Sequence, residues 1–168
     1  MKYLKYLWYV LKHKWFVFLE CCKLGIWWRG VTHDFSKFLP SEFIPYARYF
    51  KGTIKRGRNA TGYYKPYETG DGNFDRAWFY HQKRNNHHWQ YWIIPLDGEG
   101  CHALKIPEMV IREMVADWRG AGKAQGTPDT VKWYKTNKDK LQLHPQARNR
   151  IEELLGINHA GAARRIGE

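Results

Sequence analysis

The segment Thr32-His33-Asp34-Phe35-Ser36-Lys37-Phe38 sets an imidazole and a carboxylate side by side, with an ammonium group one helical turn on. Adjacent His-Asp pairs are common by chance. This one gains weight from its company: His13 upstream, His81, His87 and His88 downstream, then Glu113 and Asp117. Neutral imidazole and carboxylate suit divalent metal ions. The chemistry expected is a helical metal site with His13, His33, Asp34, His81, His88 and Asp117 as candidate ligands. It would take one or two ions of manganese, iron, zinc or magnesium.

The elements that must position these residues read as helices. Residues 3–29 contain no Pro and a single Gly, and Leu4, Leu7, Leu11, Trp15, Phe18 and Cys22 recur at three- and four-residue steps. That pattern predicts one long helix with one apolar face. His13 falls on an adjoining face with Tyr6, Tyr9, Phe16 and Val17, where a packed core histidine is the plainer alternative to a ligand. Gly30 punctuates, Thr32 is placed to cap a turn carrying His33-Asp34, and Pro40-Ser41 opens a helix with Phe43, Tyr46, Ala47 and Phe50 spaced for burial.

Residues 51–73 change character. Five glycines interleave with Lys51, Lys55, Arg56, Arg58 and Lys65 and with Tyr63, Tyr64 and Tyr67. The stretch reads as an inserted basic loop, either a lid over an anionic substrate that Arg56 and Arg58 would attract, or a solvated insertion.

Asp75 to Trp92 reads as the next helix, with Trp78, His81, Asn85, His88 and Trp92 on one face and His87 pointing away. His81 and His88 would rise about 10 Å apart on a regular helix, a spacing for a metal pair rather than a shared ion. Residues 93–104 contain Asp97-Gly98-Glu99-Gly100, which predicts a short hairpin or compact loop. Pro107 opens a helix expected to stop near Gly120. Its apolar residues cover most of its circumference, so Glu113 and Asp117 must be buried. A buried carboxylate without compensation costs several kcal/mol. Further helix starts fall at Thr127-Pro128-Asp129 and His144-Pro145, and residues 157–168 read as a flexible tail. The fold class expected is all-α: a single helical bundle over 1–156 interrupted by the 51–73 insertion.

Composition narrows the partners. Lys and Arg number 28 against 16 acidic residues, a net charge of +12 that favours polyanions. An anionic small molecule such as a nucleotide fits, and nucleic acid is admitted. The apolar runs Tyr6–Leu11 and Trp15–Leu19 are cut by Lys12-His13-Lys14, too short to span a bilayer, which argues against a membrane protein. A surface-lying helix with a Trp/Tyr belt stays open. Three cysteines, two of them adjacent, make no disulfide framework and no zinc-ribbon spacing. With no cleavable leader legible, the expected setting is cytoplasmic. No phosphate-loop glycine motif is present.

The order His13, His33-Asp34, His81, His87-His88, Asp117 resembles the HD-domain superfamily of helical metal-dependent phosphohydrolases, and Lys37 matches the doublet-x-x-Lys form of many members. More closely, the Thr32–Phe38 segment, Asn85-Asn86-His87-His88, Glu113-Met114-Val115-Ala116-Asp117-Trp118, Trp133-Tyr134 and Leu143-His144-Pro145 resemble a family of small bacterial and phage proteins of unknown function. The superfamily resemblance implies hydrolysis of a phosphate ester by a metal-activated water. Asp34 would hold the ion and orient the water, Lys37 would bind phosphate oxygens, and Glu113 would orient a ligating histidine or act as base. His87 and Asn85 would be supporting groups or alternative ligands. The short gap from His13 to His33 departs from the superfamily pattern and bears on His13. Two other readings stand beside it: an HD-type di-iron oxygenase, and a non-catalytic nucleic-acid or protein-binding module with a buried His/Asp network.

Overall fold

The computed structural model describes residues 1–52 and 69–157. Arg56, Arg58 and most of the Gly-rich loop lie outside the described residues, as does the tail from 158 onward. The described chain is mostly helical, as the sequence implies, with one antiparallel ribbon. Its helices are α1 (Lys2–Lys23), α2 (Trp27–Thr32), α3 (Pro40–Lys51), α4 (Gly72–Arg84), α5 (Glu108–Gln125), α6 (Thr130–Asn137) and α7 (Pro145–Leu154). The ribbon pairs β1 (Ile93–Leu96) with β2 (Gly100–Ala103) in the register Ile93↔Ala103, the hairpin expected from the Asp97–Gly100 turn.

Several boundaries differ from the sequence reading. The single helix expected over 3–29 is two, because Gly25 takes φ +72° and turns the chain between α1 and α2. Thr32 is no N-cap: it ends α2, and its hydroxyl donates back to the carbonyls of Trp28 and Arg29. The helix expected over 75–92 stops at Arg84, and Asn85 is extended. Residues 89–92 then form a separate 3-10 turn. The helix opened by Pro107 runs through Gly120 to Gln125 and is capped by left-handed Gly126. The starts at Asp129 and His144 do occur, each side chain accepting a backbone N–H of the following first turn.

The apolar stripe that periodicity picks out on α1 is largely exposed at Leu4, Leu11, Trp15 and Cys22, while Tyr6, Val10, His13, Val17, Glu20 and Cys21 of the adjoining faces are buried. Both sides of this helix are apolar, so periodicity alone could not choose between them. Packing chose the side that carries His13.

α1 forms the axis of the described structure. Tyr6 and Val10 pack with Tyr46, Ala47 and Phe74 of α3 and α4, while Val17 and Cys21 pack with Ile26 and Ala116. A separate cluster joins α5, α6 and α7 around Met114, Tyr134 and Ile151. Gly120 lies where α5 crosses α1 at Val17. A methyl group there would stand 2.7 Å from the Val17 backbone nitrogen and 2.9 Å from its Cα.

Gly120→Ala therefore forces the two helix backbones apart. It should cost about 1–3 kcal/mol by overpacking and lower the midpoint of thermal unfolding by roughly 2–12 °C. A melt followed by circular dichroism that matches wild type would show that the crossing has slack.

Candidate metal centre

Five elements deliver side chains to one buried volume. α1 supplies His13. The corner after α2 supplies His33 and Asp34, α4 supplies His81, the turn after α4 supplies His87 and His88, and α5 supplies Glu113 and Asp117. Asp34 has φ 55° and ψ 28°, the sole left-handed non-glycine residue among the described residues. Backbone held in that region costs of order 1–3 kcal/mol and collects at functional corners. Here it breaks the chain between α2 and the 3-10 turn Phe35–Phe38, with the Asp34 side chain fully buried.

The Asp34 carboxylate faces two groups of donors, one with each oxygen. Oδ2 lies 3.2 Å from His13 Nε2 and 3.2 Å from His33 Nε2. Asp117 Oδ1 lies 3.3 Å and 3.4 Å from the same two nitrogens, which are 3.3 Å apart. Donors with edges of this length, arranged as a regular tetrahedron, surround a point about 2.0 Å from each corner, the bond length of zinc to imidazole or carboxylate. Oδ1 lies 3.4 Å from His81 Nε2 and 3.3 Å from His87 Nε2, and His88 Nε2 is 2.9 Å from His81 Nε2. Asp34 Oδ1 and His87 Nε2 are buried and have no hydrogen-bond partner among the described residues. Buried polar atoms are rarely left so, and a cation between them would satisfy both. The donor set fits divalent metal.

A surrounding layer fixes the rings. Glu113 accepts a hydrogen bond from His33 Nδ1 at 3.0 Å and lies 3.3 Å from His87 Nδ1, so one carboxylate turns two Nε2 atoms inward. Glu113 is itself paired with Arg29, which also donates to Asn86 Oδ1 at 2.7 Å. Glu42 does the same for His81, accepting from Nδ1 at 2.9 Å, and is held by Arg84 at 2.7 Å and by the Ser36 hydroxyl at 2.9 Å. Asn85 donates to Ser36 Oγ and to the His81 carbonyl, a supporting role. Lys37 reaches Asp34 Oδ2 at 2.5 Å, so its ammonium sits at the cluster itself rather than free above it.

Burial and charge oppose each other throughout. Burial holds the His13 imidazole down to about 4. Burial also lowers His88, helped by His87 and His81, and lowers His81 despite Asp34. These rings are neutral near pH 7 and offer lone pairs. Burial works against the His33 proton too, but Asp34, Asp117 and Glu113 overcome it and hold His33 well above its usual value. Burial would raise Asp34, Glu113 and Asp117, and the neighbouring imidazoles, with Lys37 at Asp34, hold all three below the usual carboxylate range.

The structure thus brings His13, His33, Asp34, His81, His88, Asp117, Glu113 and Lys37 together. His87, expected to point away, joins them, because the chain leaves the helical path after Arg84. The same departure brings His81 and His88 within contact despite the 10 Å rise an ideal helix would impose. Arg56 and Arg58 lie outside the described residues. Glu42, Arg29 and Arg84 escaped the sequence reading: an acid in the first turn of α3 and arginines near helix ends are ordinary surface features. Only complete burial of Glu42 marks it out.

A family of unknown function, DUF5662, matches residues 2–157. The chain belongs to this family. The match spans every helix described above, and each residue of the cluster falls within it. No curated protein and no solved structure matches the chain.

Removing the Glu113 carboxylate strands Arg29 and releases two imidazoles, so Glu113→Ala should destabilise by about 3–5 kcal/mol, as breaking a buried pair does. Because the folded Glu113 value is depressed, its contribution is present above the unfolded value of about 4.3 and is lost as pH falls through the folded one. The stability gap between wild type and Glu113→Gln should therefore narrow as chelator-treated protein is taken below pH 4. A gap constant with pH would show that Glu113 acts through shape alone.

Proposed function

We propose that this protein is a metal-dependent phosphohydrolase acting on a nucleotide or another phosphate ester, with two divalent ions sharing Asp34. The observation that carries the reading is the division of the Asp34 carboxylate: one oxygen faces His13, His33 and Asp117, the other faces His81 and His87, with His88 beside them. His13, His33, Asp117 and Asp34 Oδ2 would hold one ion, and His81, His87, His88 and Asp34 Oδ1 the second. Manganese, iron and zinc all accept such imidazole and carboxylate donors. Bound divalent ions lower the pKa of water toward about 7 and polarise phosphoryl oxygens. The resemblance of the ligand order to the HD-domain superfamily supports the same chemistry.

The chain's own groups have distinct tasks. Glu113 and Glu42 accept from Nδ1 of His33 and His81, which turns each Nε2 inward, and at His33 an ion would displace the further proton that the surrounding carboxylates favour. Lys37 is the cation that reaches Asp34. Burial pulls down its proton affinity, but Asp34 and Asp117 more than restore it, so it stays charged to meet phosphate oxygens and negative charge developing in the transition state. The +12 charge of the chain favours arrival of an anion. The preponderance of imidazole, five rings in the cluster, also favours a second reading, an oxygen-activating di-iron enzyme.

Elemental analysis of tag-free protein should find near-stoichiometric manganese, iron or zinc. His33→Ala and Asp117→Ala should lose it, and phosphatase or phosphodiesterase activity should fall at least 100-fold on chelation and in both variants. Iron as the sole active metal, with no phosphate-ester turnover, would move the assignment to oxygen chemistry. Folded protein that takes up none of these ions on reconstitution would end the metal reading.

A further inference from the structure

The face of α1 turned away from the core is apolar. Leu4, Trp8, Leu11 and Trp15 follow at steps of four and three residues, and their exposures are 72%, 72%, 46% and 58%. On a regular helix they form a stripe about 16 Å long. Val31 and Phe35 add exposed apolar surface beside it, with the Lys14 ammonium 4.4 Å from the Phe35 ring. Large apolar side chains left in water in a contiguous patch mark an interaction surface.

Charge identifies what the surface meets. At 100° per residue, Lys5 and Lys12 lie roughly a quarter-turn to one side of the stripe and Lys14 roughly a quarter-turn to the other. The lone acid of α1, Glu20, is buried and held by Lys23 at 2.7 Å and Lys123 at 2.5 Å. The outward face of α1 therefore offers indole rings and leucines with Lys5 and Lys12 along one flank, Lys14 on the other held by the Val31 and His33 carbonyls, and no acid of α1 among them. A second copy seated there would bring no acid of α1 to pair with Lys5 and Lys12, so this flank disfavours self-association and matches an anionic surface. No helix of the described residues is long and apolar enough to cross a membrane, so contact with lipid would be lateral.

We propose that the outer face of α1 docks the protein on an anionic lipid bilayer. The indole rings of Trp8 and Trp15 sit at headgroup level, where amphipathic rings prefer to lie, and the lysine flanks neutralise lipid charge. This surface is separate from the metal centre, since the stripe and His13 occupy opposite sides of α1, and the inference stands without the hydrolase reading.

The test is co-sedimentation of the full chain with vesicles of phosphatidylcholine alone and of phosphatidylcholine mixed with phosphatidylserine. Wild type should pellet with the mixed vesicles and bind the neutral ones at least tenfold more weakly. Lys5→Glu/Lys12→Glu should lower partitioning at least tenfold, since each basic residue at such a surface contributes about 1 kcal/mol. Trp8→Glu/Trp15→Glu should abolish it. All four positions are exposed or flank the exposed stripe, so both variants should keep the wild-type circular dichroism spectrum, and His33→Ala should pellet like wild type. Wild type that stays in the supernatant with both vesicles overturns the proposal. So does pelleting that either variant leaves unchanged. A dimer by light scattering that Trp8→Glu/Trp15→Glu converts to monomer, without vesicle binding, would give the stripe to a second copy.

Discussion

Four carboxylates withdrawn from water govern this structure. Asp34, Glu42, Glu113 and Asp117 are all buried or nearly so, and each would cost several kcal/mol if left alone. Every one is met by cationic or hydrogen-bonding groups: Lys37 and imidazoles at Asp34, Arg84 and His81 at Glu42, Arg29, His33 and His87 at Glu113, and His13 and His33 at Asp117. The helices are arranged so that these partners arrive together. Without the arrangement the acids could not be inside, and without the acids the histidines would lose the groups that fix their rings.

Backbone geometry delivers that arrangement at two points. At Gly120 the absence of a side chain lets α5 approach the Val17 backbone, which sets His13 and Asp117 on facing helices. At Asp34 a left-handed residue turns the chain sharply beside its neighbour His33, so that adjacent residues in sequence reach the same volume. The strain at Asp34 and the close crossing at Gly120 are both costs of position. Each makes sense because the groups so placed compensate one another's burial.

α1 serves two masters. Its inner side carries His13 among core aromatics, and its outer side carries the tryptophans and leucines of the proposed lipid-docking face. Both sides being apolar explains why periodicity leaves the inward face of α1 open: a 3.6-residue repeat identifies an apolar stripe but cannot rank two of them. The position of His87 departs from helical spacing because extended backbone at Asn85 ends the helix and swings both His87 and His88 back toward Asp34.

From the sequence alone came the helical class, the hairpin at Asp97–Gly100, the helix starts at Asp129 and His144, and the set of residues that the structure gathers, because capping chemistry, turn residues and residue type are local properties. The need for compensation at Glu113 and Asp117 was also visible, since the apolar residues around them left no exposed side. Only the tertiary structure decided which side of α1 faces inward, which oxygen of Asp34 faces which imidazoles, and that Glu42, Arg29 and Arg84 support the cluster. Those choices depend on which elements meet across long stretches of chain, and such contacts are settled by packing and by the compensation of buried charge.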